Sequence, residues 1–339
     1  MEGLPIASLG RYLEGRIAGF RGLRTALKFS DGQSNPTYRL LAESGDYVLR
    51  RKPGGDLLKS AHAVDREYRV LSALADTDVP VARALHLCAD ESVIGAMFYV
   101  MEFVPGRVFW DPALPGLEPA ERAAIYDAMN ATLAAIHSVD LVAVGLVDYG
   151  RPGSYFARQF ATWSRQYRAT ETETLPEIER IMAWLEANMV ADDGRVSLVH
   201  GDYRLDNVMF DPVAPRVAAV MDWELSTLGH PLADLAYQCM LWRMPPGPVL
   251  SGLEGVARSE NGLPVEEEYV AGYCDRMGLS RIDDWHFYLV FGLFRLAAIV
   301  QGVKFRALAG NASSDHALQV GALVSPLARK ACDILDADG

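Results

Sequence analysis

Two carboxylates and an amide, Asp202, Asn207 and Asp222, are spaced as the transfer of a phosphoryl group from a metal-bound nucleotide requires. The chain reads Val199-His200-Gly201-Asp202-Tyr203-Arg204-Leu205-Asp206-Asn207-Val208, and Val220-Met221-Asp222-Trp223 follows. Val196, Leu198 and Val199 read as a short buried strand, which sets Asp202 on the loop after it. There its carboxylate can accept the proton of an attacking hydroxyl. Asn207 and Asp222 offer hard oxygen ligands of the kind Mg²⁺ takes, and the apolar residues 217–221 make a second strand that delivers Asp222 from a fixed platform. A His-Gly-Asp triplet alone is also an ordinary strand-end turn, with Gly201 supplying the unusual backbone angle and Asp202 capping nearby amides. The joint spacing of Asn207, Asp222 and Asp234 places the catalytic reading above that one.

The surrounding pattern shows what must position these groups. Residues 1–103 read as a strand-rich, nucleotide-binding lobe with one helix, and residues 104–339 as a larger, mainly helical lobe for catalysis and acceptor binding, together an α+β fold. Alternation over residues 38–42 and 47–49, across Glu43-Ser44-Gly45-Asp46, predicts a hairpin, and further strands are expected at 84–88 and 97–103. Ahead of the hairpin lies a polar turn whose backbone amides at Gly32, Ser34 and Asn35 would cover nucleotide phosphates; a plain surface hairpin is an equal reading of those residues. The two-residue strand period puts Val48 and Arg50 on one face, Leu49 and Arg51 on the other. A helix is expected over residues 62–71, carrying Glu67. Pro105-Gly106 ends the lobe, and the backbone from Glu102 to Val104 would meet the adenine edge. Beyond it, Ile125, Met129, Leu133 and Ile136 share one helix face, and helices are expected over 155–168, 176–189 and from 266 onward. Residues 287–300 read as a buried helix with Arg295 at its centre, shorter than the ~20 residues a membrane span needs.

The segment from His200 to Asn207, with Asp222 and the continuation Trp223-Glu224-Leu225-Ser226-Thr227-Leu228-Gly229-His230-Pro231-Leu232-Ala233-Asp234, resembles the aminoglycoside phosphotransferase and choline kinase superfamily. Within it, the chain is similar to the branch of kinase-like domains fused to some eukaryotic acyl-CoA dehydrogenases, over roughly residues 31–314. The resemblance implies a two-lobed, protein-kinase-like fold, ATP and Mg²⁺ as cofactors, and transfer of the γ-phosphoryl group to a hydroxyl of a small molecule. Aminoglycosides, choline-like amines, sugars, homoserine-like amino acids and hydroxyacyl-CoA esters all fit that description. It also implies that Arg50 stands where the family carries the basic residue that grips the α- and β-phosphates, with Arg51 and Lys52 as rivals and Glu67 as its carboxylate partner. His200 becomes a scaffold residue of the loop. Asp234 accepts hydrogen bonds from the loop backbone, a role compatible with simple helix capping. The alternative is a nucleotide-binding pseudokinase that senses or scaffolds, favoured by the sparse glycine turn and by Arg50; a metal-dependent hydrolase would need a denser ligand cluster.

Composition sets outer limits. The chain has 339 residues, half of them hydrophobic, enough for a sizeable core. Against 32 basic residues stand 44 acidic ones, a formal charge of −12 that disfavours nucleic acid and leans toward a cationic or neutral acceptor. Glu266, Glu267 and Glu268 could recruit such a cation, but three adjacent glutamates are more often a solvated helix start. Cys88, Cys239, Cys274 and Cys332 lack metal-ligand spacing and suit reduced thiols, and the N-terminus lacks a signal peptide's pattern. A cytoplasmic protein without a membrane segment is therefore expected; nothing in the sequence bears on oligomeric state. Strand period yields a first test: Arg50→Ala raises the KM for ATP and Arg51→Ala leaves it near wild type, and steady-state kinetics showing the reverse order would shift the strand by one residue.

Overall fold

The structure is a computed structural model and describes residues 4–29, 35–53, 64–151, 153–310 and 316–337. The chain folds into two units, one gathering Met1–Val108, Val142–Leu146 and Asn207–Ser226, the other Phe109–Leu141, Val147–Asp206 and Thr227–Gly339.

In the first unit, helix α1 (Ile6–Glu14) is followed by strands β1 (Leu23–Lys28), β2 (Thr37–Ala42) and β3 (Gly45–Arg51), helix α2 (Val64–Leu74), and strands β4 (Ala84–Cys88), β5 (Phe98–Glu102) and β6 (Arg107–Val108). Strands β1 to β5 form one antiparallel sheet in the order β1-β2-β3-β5-β4. The expected hairpin is β2–β3, tightened to the two-residue turn Glu43–Ser44. Side-chain alternation divides the sheet's faces. Tyr38, Leu40, Leu49, Phe98 and Val100 join Leu9 and Leu13 of α1 in one apolar core. Arg50 lies opposite Tyr99 in the ladder, so both belong to the other face.

The second unit is helical, apart from one short ladder. Its elements are α3 (Pro119–His137), α4 (Tyr155–Thr170), α5 (Pro176–Ala187), strand β7 (Ser197–Val199), α6 (Leu232–Trp242), α7 (Glu266–Met277), α8 (Trp285–Leu308), α9 (His316–Gly321) and α10 (Val324–Ala337). Between β7 and α6 the chain also forms β8 (Val208–Phe210) and β9 (Val217–Val220), which complete a three-stranded sheet with β6 in the first unit, and β10 (Thr227–Gly229), which pairs with β7 in the second.

Helix α8 spans 24 residues, longer than its apolar pattern suggests, and by length and composition it could cross a membrane. Most of it is buried instead, packed against α4, α6 and α10. Phe156 of α4 is the hub of an aromatic cluster, with the rings of Phe287, Tyr288 and Phe291 at 5.1–5.5 Å between centroids. Glu266 departs from the solvated reading of its triplet: Glu267 and Glu268 are exposed, whereas Glu266 is buried and receives Arg243 at 2.6 and 2.8 Å and the Trp285 indole at 2.9 Å. All four cysteines are free and buried. Removing the hub ring, Phe156→Ala, is expected to destabilise the helical unit by about 3–5 kcal/mol, read as a lower urea midpoint; a shift of under about 1 kcal/mol would show that the cluster collapses around the gap.

Candidate active site

The two proposed metal ligands leave the same end of one hairpin. Val208 of β8 pairs with Val220 of β9, and the Met221 N–H donates to the Asn207 carbonyl at 2.9 Å, so Asn207 just before β8 and Asp222 just after β9 are neighbours. The strands are apolar and buried, a stiff platform. Asp222 itself takes left-handed backbone angles, φ 62° and ψ 59°, which aspartate tolerates better than most residues. The next residue anchors it: Trp223 is buried, its indole N–H donates to the Val220 carbonyl at 3.1 Å, and its own carbonyl accepts from the Ser226 hydroxyl at 2.5 Å.

Arg50 is the centre of charge in this unit. Its guanidinium reaches Glu67 at 3.0 Å, Asp222 at 2.6 Å and Glu224 at 3.5 Å. Tyr99 donates its hydroxyl to Glu67 at 2.8 Å, and the Asn35 amide donates to Glu67 and Glu224, both at 3.3 Å. Carboxylate oxygens of Glu67, Asp222 and Glu224 lie within 4.8 Å of one another. Three carboxylates around one cation leave an excess of negative charge, and hard oxygens so close suit a divalent ion such as Mg²⁺. Burial disfavours the Arg50 cation, but Glu67 and Asp222 outweigh it and hold the guanidinium protonated beyond its ordinary range. Burial also pushes Glu67 up to about 7, against the pull of Arg50 and the Tyr99 hydrogen bond.

Asn35 is buried and faces these carboxylates with its side chain. Gly32 and Ser34 of the same turn lie outside the described residues. Glu102 closes β5, and its N–H donates to the Arg83 carbonyl at 3.0 Å, so among its backbone groups only the carbonyl could meet an adenine, beside Val104 two residues on.

In the second unit a buried carboxylate organises the loop of Asp202. Asp234, in the first turn of α6, is 1% exposed and accepts the N–H groups of His200 at 2.6 Å and Gly201 at 2.8 Å. His137 of α3 approaches it at 3.3 Å and meets the Tyr273 hydroxyl at 2.7 Å on its other nitrogen. Burial would raise the Asp234 carboxyl; the hydrogen bond and charge of His137, with His200 and the Gly201 amide, hold it below the ordinary carboxylate value. Gly201 has φ 85°, a left-handed angle that turns the chain so that the Asp202 N–H donates to His200 Nδ1 at 3.2 Å. With Nδ1 accepting, the His200 ring proton is assigned to Nε2, which fits a scaffold residue. Tyr203 is fully buried and donates to the Met129 carbonyl of α3 at 2.8 Å, pinning the loop from below. Burial, and then the charge of the nearby Asp202 carboxylate, push the Tyr237 phenol up; Asp202 also lies 3.7 Å from Arg204, which pairs with Asp206 at 2.8 Å. Beside the loop, Trp110, Arg204, Asp206, Gln238, Leu241 and Trp242 line a cleft of about 310 Å³, at the low end of small-molecule sites.

Several of these residues escape sequence reasoning. Glu224 stood two residues past Asp222 and Tyr203 one residue past Asp202, so both lay within reach of sequence reasoning; His137, Tyr99 and Tyr237 come from other elements with no local signal.

A β-sheet unit clasping a buried cation, together with a helical unit that holds an aspartate loop on a buried carboxylate, defines a kinase-like phosphotransferase. The chain belongs to the APH family, the phosphotransferase enzyme family, whose model matches residues 25–278. It is 48% identical over 338 residues to acyl-CoA dehydrogenase family member 10 of Mus musculus, covering 99% of this chain and 32% of that protein. The chain thus spans about a third of that relative's length. A crystal structure from Ralstonia eutropha JMP134, carrying a provisional aminoglycoside phosphotransferase name, superposes with a TM-score of 0.91 at 47% identity, over 98% of this chain and 99% of that one. A thermostable mutant of aminoglycoside phosphotransferase APH(4)-Ia, solved with AMP-PNP and hygromycin B, shares the fold at a TM-score of 0.62 and 15% identity, over 95% and 98% of the two chains.

The Glu67 shift has a sign that can be tested. A carboxyl whose folded value lies above its ordinary one takes up a proton on folding, so its stabilising contribution is full below about pH 4.5 and is lost as pH rises through about 7. The melting temperature of wild type minus that of Glu67→Gln should therefore fall between pH 5 and about 7.5; a difference that grows with pH would mean that Glu67 is ionised throughout.

Proposed function

We propose that this phosphotransferase moves the γ-phosphoryl group of ATP to a hydroxyl of a small molecule. One observation supports this most: Asn207 and Asp222 emerge side by side from a single hairpin, with Arg50 already on Asp222. In this reading the Arg50 face of the first unit binds the nucleotide, Asn207 and Asp222 hold Mg²⁺, and Glu224 adds a third oxygen ligand. Bound Mg²⁺ would neutralise charge on the phosphate oxygens. Asp202 accepts the proton of the acceptor hydroxyl, and its loop is kept in place by Asp234, so little rearrangement is needed during transfer. Glu67, tied by Tyr99 and Asn35, aims Arg50 at the α- and β-phosphates.

For the acceptor we favour a hydroxyacyl-CoA ester over an aminoglycoside or amino alcohol. Two observations support it: the chain aligns end to end with a stretch of a protein named for acyl-CoA dehydrogenase activity, and the cleft beside the loop is lined by Trp110, Leu241 and Trp242, while the carboxylate that lines it, Asp206, is paired with Arg204 at 2.8 Å. Four buried, unbridged cysteines support a reducing, cytoplasmic setting. The pseudokinase reading draws on the 2.6 Å Arg50–Asp222 contact, which places a guanidinium on a carboxylate the metal would need.

An ADP-release assay with and without hydroxyacyl-CoA esters, choline-like amines and aminoglycosides separates these readings, since a pseudokinase releases no ADP with any acceptor. Asp202→Asn should preserve ATP binding and slow transfer by about 10²- to 10⁴-fold; turnover within threefold of wild type would remove Asp202 from its role. In calorimetric titration with MgATP, Asp222→Ala should weaken binding more than Asn207→Ala, because the carboxylate brings formal charge to the cation; the opposite order would exchange their roles.

A further inference from the structure

The side chain of Asn35, a residue only 3% exposed, turns its NH₂ group to Glu67 Oε1 and Glu224 Oε2, 3.3 Å from each. Its carbonyl oxygen, Oδ1, is left buried without a hydrogen-bond partner among the described residues. A buried acceptor without a donor is unfavourable, and both amide contacts are longer than the roughly 2.9 Å usual for N–H···O. The amide is therefore poorly served at both ends.

The backbone around it is well anchored. The Thr37 hydroxyl donates to the Asn35 backbone carbonyl at 3.0 Å, and the Arg51 N–H to the Pro36 carbonyl at 3.0 Å, so the start of β2 fixes where the side chain begins. Glu67 stands on α2, and Glu224 in the turn Trp223–Leu225 that the Trp223 indole holds in place. All three residues belong to the first unit.

Charge shows what the cluster lacks. Glu67 gives Oε2 to Arg50 at 3.0 Å and to the Tyr99 hydroxyl at 2.8 Å, so among the described residues Oε1 has the Asn35 amide alone. Arg50 lies closest to Asp222, at 2.6 Å, and reaches Glu224 only at 3.5 Å. With Glu67, Asp222 and Glu224 ionised, three negative charges face the one positive charge of Arg50, an excess of two, and their oxygens lie within 4.8 Å of one another. The Asn35 NH₂ group thus stands between two anionic oxygens, where a cation belongs. Half a turn of the amide would replace it with Oδ1, a third hard oxygen. The Glu224 side chain is 20% exposed, which gives an ion a route from solvent.

We infer that Asn35 Oδ1, Glu67 Oε1 and Glu224 Oε2 form a second divalent-cation site, separate from the Mg²⁺ read at Asn207 and Asp222. The chain's own contacts gather the three donors, so the site needs no nucleotide to form. Oxygen donors, two of them anionic, select Mg²⁺, Mn²⁺ or Ca²⁺ over softer ions, with water completing the shell. Arg50 keeps Asp222 and Glu67 Oε2, and the other oxygen of Glu224 stays available to the nucleotide-linked ion. Held there, the cation ties the start of β2 to α2 and to the Trp223–Leu225 turn. The inference stands on side-chain geometry and not on the transfer reaction.

The test uses the whole chain, stripped of metal with EDTA and free of nucleotide, titrated with Mn²⁺ and followed by the paramagnetic resonance signal of the unbound ion, with Mg²⁺ and Ca²⁺ as competitors. Wild type should bind Mn²⁺. Asn35→Leu and Glu67→Gln should weaken that binding by at least about 10-fold, the lower end of what even outer-shell partners of a metal contribute. Asn35→Asp should tighten it, because a formal charge joins the ligand set, and Asn207→Ala should leave it unchanged. Melting temperature adds a readout that a merely structural amide would not move: Asn35→Asp should melt below wild type in EDTA, where a further carboxylate crowds the cluster, and recover in Mn²⁺. An Asp variant that stays destabilised with Mn²⁺ present would reduce Asn35 to a bridge between two acids and overturn the inference. So would nucleotide-free wild type that binds no Mn²⁺, or binding lost in Asn207→Ala and kept in Asn35→Leu. Should Asn35→Leu fail to fold, Asn35→Asp and Glu67→Gln decide the matter. None of these measurements involves ADP release, so their failure leaves the phosphotransferase reading standing, and an inactive chain that binds Mn²⁺ through Asn35 does the reverse.

Discussion

A single buried carboxylate, Asp234, governs the geometry of the Asp202 loop. An ionised group at 1% exposure is tolerated only if its lone pairs are filled, and removing a partner from such a group costs about 3–5 kcal/mol. The partners here are the amides of His200 and Gly201 and the imidazole of His137, drawn from the loop and from α3. Satisfying Asp234 therefore fixes the loop's backbone, the turn at Gly201 and the His200 ring that receives the Asp202 amide. The helix α6 that carries Asp234 also brings Tyr237 to Asp202. Holding the Asp202 loop is thus a consequence of burying a different acid.

The first unit solves the converse problem, too many acids around one base. Arg50 is shared among Glu67, Asp222 and Glu224, with Tyr99 and Asn35 taking up the remaining acceptor capacity of Glu67. Such a cluster is costly without further positive charge, which is why it is suited to a cation and why burial can push Glu67 up to about 7. The left-handed backbone of Asp222 belongs to the same economy of position: the hairpin and Trp223 hold an aspartate where few side chains would sit unstrained.

Much of the architecture was legible in the sequence because it is carried by short-range pattern. Alternation marked β2, β3 and β5, apolar periodicity marked α3 to α5, and the intervals from His200 to Asp222 marked the loop and the hairpin, since strand and helix periods follow from backbone geometry alone. The length of α8 was not legible: its apolar stretch is interrupted by polar residues that the packed helix accommodates, and helix length is decided by neighbours such as α4, α6 and α10 as well as by pattern. Nor were the pairings that answer buried charge. Glu266 looked like one of three solvated glutamates until Arg243 and Trp285 closed on it, and His137 lies 97 residues from the Asp234 it contacts. A sequence determines which groups are available and on which face of an element they stand; which charges end up buried, and beside what, depends on contacts between elements remote in the chain, because the cost of burying a charge is set by whatever surrounds it.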